Sequence, residues 1–329
     1  MSLNEFVNLI RKSSGYIGLF LIVVVVIITI YRFIDNPAGE QGFGNLKSPE
    51  FKNVIAKTID LSAEPNFSLK HPRLLKVYRS PGVASSKEVA SRIGFLDTPQ
   101  TIGESFMWSN QLANFKVAKK TTNFTYFNTK IISARTVVEE QAEDIATDFL
   151  RKMGVIDKNL KLENIGVTYV TIKGPEFEIV DKTKEYNIFS FNFGARVENI
   201  SLVSNQGSKV LYNVWVSVDG NTYKATGNLQ NLAFIESSTY PTEKLSNLGK
   251  EINQNKFAIV NLTTDINVPR YSSNNNVSVV FEKAEVVYYL PAEKIDFLQP
   301  ILLLEGRQKS STNNLFFALK TVLKSEVLD

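Results

Sequence analysis

Hydrophobic spacing divides this chain into one continuous apolar run near the amino end and a long tract of shorter, periodic segments. Ser13 to Tyr31, SSGYIGLFLIVVVVIITIY, carries no charge, and Leu19 to Ile28 is apolar throughout. At ~1.5 Å per residue such a helix spans roughly 28 Å, close to the ~30 Å hydrocarbon core of a bilayer. Val and Ile stand all round it, which leaves no polar stripe for a soluble helix. Tyr16, Leu19, Phe20, Val23, Val26, Ile27 and Ile30 are the expected anchor residues. Arg11 and Lys12 precede the run, whereas Arg32, Asp35 and Glu40 after it form a net negative flank. Basic residues resist translocation, so the short tail is expected in the cytoplasm and the bulk of the chain outside. A cleaved signal peptide is the alternative, with Asn36-Pro37-Ala38-Gly39 as a poor cleavage site.

Beyond the run the periodicity shortens. Asp35 to about Ser80 is punctuated by Pro and Gly and reads as a stem with short strand-like pieces. A helix is expected at Ser85–Ile93, with Ser85 and Glu88 as a capping box and Gly94 as its stop. Strands follow around Ser105–Trp108, Leu112–Ala118 and Asn123–Ser133. Thr136 and Glu139 repeat the box before a second helix, whose face is Val138, Ala142, Ile145 and Phe149 with Ala146, Leu150 and Met153. Acids at its start and Arg151 and Lys152 at its end match the helix dipole, and Gly154 ends it. Ile165–Ile172 is strand-like, and Phe189, Phe191, Phe193, Ala195 and Val197 alternate with polar residues as in a half-buried strand. Val210 to Val218 alternates likewise. Asp219-Gly220 predicts a type I′ hairpin with Thr222–Ala225 running back. A third helix is expected at Thr242–Lys256, and Val277–Leu290, Phe297–Glu305 and Leu315–Leu323 as closing strands, the last alternatively a short helix.

Composition narrows the chemistry. There is no cysteine, which removes disulfides, thiolate catalysis and Cys-ligated metals. The one histidine, His71, sits beside Pro72 in the stem and excludes a His-cluster metal site. Net charge is +4, and residues 1–34 hold half of it, so the remainder lacks the basic stripe that nucleic acid demands. Glu139, Glu140, Glu143 and Asp144 imitate a carboxylate metal site, but their place at a helix start accounts for them. Trp215 lies opposite Val214 and Val216, which marks either a contact surface or a second covered face.

Ala284-Glu285-Val286-Val287-Tyr288-Tyr289, a short spacer, then Phe297-Leu298-Gln299-Pro300 and a strand ending Leu304-Glu305-Gly306 resembles the end of PepSY-type modules. The layout of tail, single helix and outer α+β domain is also similar to the membrane-anchored YycH/YycI regulators of bacterial sensor kinases. The resemblance implies a non-catalytic domain that binds or restrains a protein, and it supplies no catalytic residues.

These readings predict an α+β fold: one transmembrane helix, then antiparallel sheets with helices on one face, in which a PepSY-like helix-then-strands unit recurs. Arg92-Ile93-Gly94-Phe95 and Lys152-Met153-Gly154-Val155 echo each other at the helix ends. The expected divisions are a tail at 1–12, the anchor at 13–34, the stem at 35–80, and α+β units at 81–135, 136–240 and 241–329. The expected function is partner binding in the bacterial envelope, on the outer side of the cytoplasmic membrane, without catalysis, cofactor, metal or nucleic acid. Its contacts are membrane lipid through Ser13–Tyr31 and an envelope protein. The alternatives are a membrane-tethered Ser-Lys hydrolase, which needs neither His nor Cys, and a small-molecule or glycan-binding module.

Overall fold

The computed structural model describes residues 83–130, 134–155, 160–174, 176–197, 199–204, 207–229, 291 and 295, and six further strands. Those strands are Arg73–Val77, Phe234–Thr239, Ala258–Asn261, Val279–Leu290, Phe297–Gln308 and Ser311–Thr321. The chain divides after Gly44, and every described residue lies in the part from Asn45 onward. The anchor run Ser13–Tyr31, Arg11, Lys12, His71 and the third helix at 242–256 fall outside the described residues. Among the described residues no helix is long and apolar enough to cross a membrane.

Among the described residues there are two helices and sixteen strands, in an α+β arrangement dominated by sheet. In chain order they are β1 (Arg73–Val77), α1 (Val83–Arg92), β2 (Gln100–Ile102), β3 (Ser105–Ser109), β4 (Ala113–Ala118), β5 (Asn123–Asn128) and α2 (Glu139–Met153). Next come β6 (Lys161–Lys173), β7 (Glu176–Val180), β8 (Ile188–Val197), β9 (Ile200–Ser204), β10 (Tyr212–Ser217) and β11 (Thr222–Asn228). The chain closes with β12 (Phe234–Thr239), β13 (Ala258–Asn261), β14 (Val279–Leu290), β15 (Phe297–Gln308) and β16 (Ser311–Thr321). The ladder runs β12-β1-β15-β14-β9-β8-β10-β11-β5-β4-β3-β2, with β6 and β7 branching from β8, and β16 and β13 from β15. Among the described strands, all pairings are antiparallel except β9 with β14, where Tyr288 stands beside Leu202.

The alternation read in the sequence builds one apolar face. Phe189, Phe191 and Phe193 of β8 stand opposite Val216, Val214 and Tyr212 of β10. Ala225, Tyr126 and Phe115 extend that face through β11, β5 and β4. α2 covers it with Ala142, Ala146, Leu150 and Met153, all buried. The small Ala142 and Ala146 let the helix backbone approach the sheet, and Phe149 reaches Tyr126, ring centroids 4.8 Å apart. α1 packs beside α2 and adds Ala90 to the same core.

Both helices end as the glycine pattern predicts. Gly94 (φ +97°) follows α1, with Phe95 N–H donating to Ala90 O and Gly94 N–H to Ser91 O, a Schellman ending. Gly154 (φ +72°) follows α2. The next residues, Phe95 and Val155, are both buried in the core. This is what the echoed sequence encodes.

The starts differ from expectation. α1 begins at Val83, so Ser85 lies inside the first turn and is not its cap, and Glu88 pairs with Arg92 one turn on. α2 begins at Glu139 rather than after a Thr136 cap. Gln141 Oε1 accepts from Val138 N–H at 3.2 Å, while Thr136 N–H is taken by Val218 O at 2.8 Å. The sheet edge competes for Thr136 and moves the helix start onward.

The β10–β11 connection is not type I′, because Gly220 (φ +84°) has positive φ and Asp219 does not. Gly220 N–H donates to Ser217 O, and Ser217 N–H to Asn221 O, both at 2.9 Å. That is a three-residue loop, a type I turn closed by a left-handed glycine. Two further differences matter. Arg73–Val77, assigned to the stem, is a sheet strand paired with β12 and β15. Of the two alternatives for the last segment, the structure has the strand.

Candidate binding face

The face of the sheet opposite α2 decides the functional reading. Cross-strand neighbours share a face. Trp215 stands opposite Ser190, Ser190 opposite Thr168, Ile188 opposite Val170, and Lys224 opposite Phe127. All therefore project away from the helices. Part of this face is polar: Asn213 Nδ2 donates to Asn192 Oδ1 at 2.8 Å and to Ser190 Oγ at 3.0 Å.

The other part is apolar, and two local irregularities create it. The first is the β6–β7 hairpin, turned at Gly174, whose φ of +62° favours glycine. In ladder order β6 and β8 lie between β7 and β10, yet the Phe177 ring meets Trp215 edge-on with centroids 5.5 Å apart. The hairpin therefore bends over the outer face. Val170 and Ile188 become buried beneath it, and Trp215 is only 9% exposed. This is why β8 is buried on both sides and not half-buried as its alternation predicts. The second irregularity is a bulge in β11: Trp215 pairs with Lys224 and Val216 with Thr222, so Tyr223 is the extra residue. The bulge turns Tyr223 toward the outer face, where it meets Phe127 edge-on at 5.1 Å.

Between hairpin and sheet lies a cleft of about 270 Å³. Ile172, Glu176 and Phe177 line one side, and Phe127, Trp215, Tyr223 and Lys224 the other. The Lys224 ammonium sits 4.6 Å from the Trp215 ring centroid, a cation–π contact at the floor of the cleft. Of the exposed apolar side chains among the described residues, Phe177 (58%) and Phe127 (37%) line the cleft and Ile179 (51%) shares the face of Phe177.

A second hollow, about 410 Å³, is lined by Asn123, Thr125, Thr226, Asn228 and Ser204 near Leu290 and Pro291. Its amides are engaged with the chain itself. Asn228 Nδ2 donates to Thr121 O at 2.8 Å and to Asn123 Oδ1 at 3.0 Å, and Thr122 Oγ1 donates to Asn228 Oδ1 at 2.9 Å.

The charged groups tie elements together. Glu139, first of the four acids at the start of α2, accepts from Lys182 Nζ at 2.6 Å and from the Tyr169 hydroxyl at 2.7 Å. Those two donors hold its carboxyl below the usual range, and the exposed Lys182 is held above its own. Among the described residues no group of three or more His, Asp and Glu is placed to hold a metal ion. On β14 and β15, Glu285 and Glu305 both engage Lys209 and Lys283. Burial works against the Lys209 ammonium, but the two carboxylates outweigh it and raise its pKa.

None of the anchor or topology residues named from sequence lies among the described residues. Of the positions singled out for chemistry, only Trp215 belongs to the cleft. Hydrophobic spacing gives no signal at Phe127, Phe177 or Tyr223. β7 is five residues of mixed polarity, and a bulge leaves no mark in hydrophobic spacing.

No protein-family model and no curated protein matches the chain. Among solved structures it is similar to an uncharacterized protein from Eubacterium rectale ATCC 33656, at 13% identity and a TM-score of 0.37, over 81% of this chain and 88% of that one. It is also similar to the Bacillus megaterium YpeB C-terminal domain, at 12% identity and a TM-score of 0.29, over 75% of this chain and 95% of that one. At such scores neither likeness assigns a family or an activity.

Proposed function

We propose that this chain is a single-pass protein of the bacterial cytoplasmic membrane, held by Ser13–Tyr31 with Arg11 and Lys12 inside. Its outer domain binds another envelope protein, in a regulatory or assembly role and without catalysis. The observation that carries this reading is the grouped exposure of Phe127, Phe177 and Ile179 around the Trp215 cleft. Clustered exposed apolar side chains mark interaction surfaces, and aromatic residues dominate the energetics of protein interfaces. The PepSY-like fold belongs to the same proposal. It draws support from the recurrence of a helix followed by antiparallel strands, α1 before β2–β5 and α2 before β6–β8.

Photo-crosslinking in intact cells tests the proposal. A photoreactive residue at position 177 or 179 of the full chain should yield one membrane-associated adduct of defined mass. The same residue at Leu96, which is 84% exposed and lies just beyond α1, should not. Equal adducts at all three positions would overturn the reading. So would a single serine labelled by a fluorophosphonate probe and lost on one Lys substitution, which would establish the hydrolase.

A further inference from the structure

We propose that β7 is a docking edge, and that the partner adds to it an extended segment in which Lys or Arg alternates with apolar residues. This rests on the partner-binding reading above and names the chemistry of what binds. β7 pairs with β6 alone among the described strands. In β6, Val170 O accepts from Asn187 N–H, and Ile172 N–H and C=O bond the Asn187 side chain. Both residues thus turn their backbone groups toward β8. Backbone direction alternates along a strand, so Thr171 and Lys173 face β7. Their partners across the ladder are Glu178 and Glu176. Phe177 and Ile179 therefore point their N–H and C=O groups outward, along an edge that no described strand covers.

The side chains of β7 sort in the same register. Phe177 stands opposite Ile172 and Ile179 opposite Val170, so both lie on the cleft side. By the same register Glu176 and Glu178 alternate to the other side and are exposed, with Glu176 also bordering the cleft at the hairpin end of the strand. Lys173 stands across from Glu176, yet among the described residues neither glutamate forms an ion pair, and Lys182, beside Tyr169 on the same side, is paired with Glu139. An added strand lays alternate side chains beside those of β7. Residues next to Phe177 and Ile179 complete an apolar face over the cleft. Residues next to Glu176 and Glu178 are stabilised when they are cationic. A second copy of β7 would bring glutamates beside glutamates, so the charge pattern selects a basic partner and opposes self-association.

The test uses the full chain in detergent micelles and three fluorescent peptides of about eight residues. One alternates Lys and Val, one alternates Glu and Val, and one joins the same lysines and valines in two blocks. The alternating Lys-Val peptide should bind at least about tenfold tighter than the other two and slow hydrogen exchange at the Phe177 and Ile179 amides. Ile179→Pro removes an outward N–H and no β6–β7 ladder bond, and it should abolish binding. Glu178→Lys should weaken the Lys-Val peptide by about threefold or more and strengthen the Glu-Val peptide. Equal binding of the block peptide, slowed exchange elsewhere, or no binding of the Lys-Val peptide would overturn strand addition. A discrete crosslink at position 177 with none of these preferences would leave partner binding standing and remove only the strand.

Discussion

The two faces of the β6–β8–β10–β11–β5 sheet both carry aromatic rings and do different things. The helix face carries Phe189, Phe191 and Phe193, each no more than 1% exposed, with α2 laid across them. The outer face also carries aromatic rings, but its cover is a two-stranded hairpin whose far strand leaves Phe177 and Ile179 more than half exposed. The difference lies in the cover. A helix with Ala142 and Ala146 at its contact seals a face, whereas a bent hairpin seals part of it and presents the remainder.

The largest expected effect falls on the sealed side. Phe191 is fully buried between Phe189 and Phe193, with centroids 6.2 and 6.1 Å away. Phe191→Ala leaves a cavity that a close-packed core fills only in part, and it should cost about 3–5 kcal/mol in denaturant unfolding of the full chain. Trp215→Ala should cost less, about 2 kcal/mol, because the hairpin can settle into the space. If Trp215→Ala matched Phe191→Ala, the outer face would be a second core and not a binding surface.

How much of this contrast is legible in the sequence depends on what periodicity records. The sealed face is plain, because Phe189-x-Phe191-x-Phe193 and the Ala142–Ala146–Leu150 helix stripe each repeat over several residues. The glycines at 94 and 154 mark the helix ends for a backbone reason that no neighbour alters. The helix starts are not legible in the same way: Thr136 has the chemistry of a cap, but Val218 O reaches its N–H first. The open face is nearly invisible. Glu-Phe-Glu-Ile-Val reads as a short strand of either face, and only the bend of the hairpin brings Phe177 against a tryptophan 38 positions later. Trp215 alone carried a signal, an aromatic on the wrong side of an alternating strand.

Phe177→Ser separates binding from stability. Phe177 is 58% exposed and its main packing contact is the edge-on one with Trp215, so its loss should change unfolding free energy by only about 1 kcal/mol. The same change should weaken the Lys-Val peptide by about tenfold, because it strips the largest apolar side chain from the docking edge. A large loss of stability without loss of binding would place Phe177 in the core and return the outer face to packing.

The smallest effect is at the start of α2, where a polar tie helps the helix cover its face. Glu139 accepts from Lys182 and Tyr169, and its folded pKa is therefore lowered. A lowered carboxyl pKa contributes stability above the unfolded value of 4.5 and loses it as pH falls through the folded value. Glu139→Gln should thus be less stable than the parent at neutral pH, and the two should converge in the acid range below the unfolded pKa. Tyr169→Phe removes one donor and should show the same convergence with smaller amplitude, because Lys182 still holds the carboxylate. A Glu139→Gln deficit that persisted undiminished in acid would mean that shape, and not charge, makes the contact. The seal over the helix face would then be apolar from end to end.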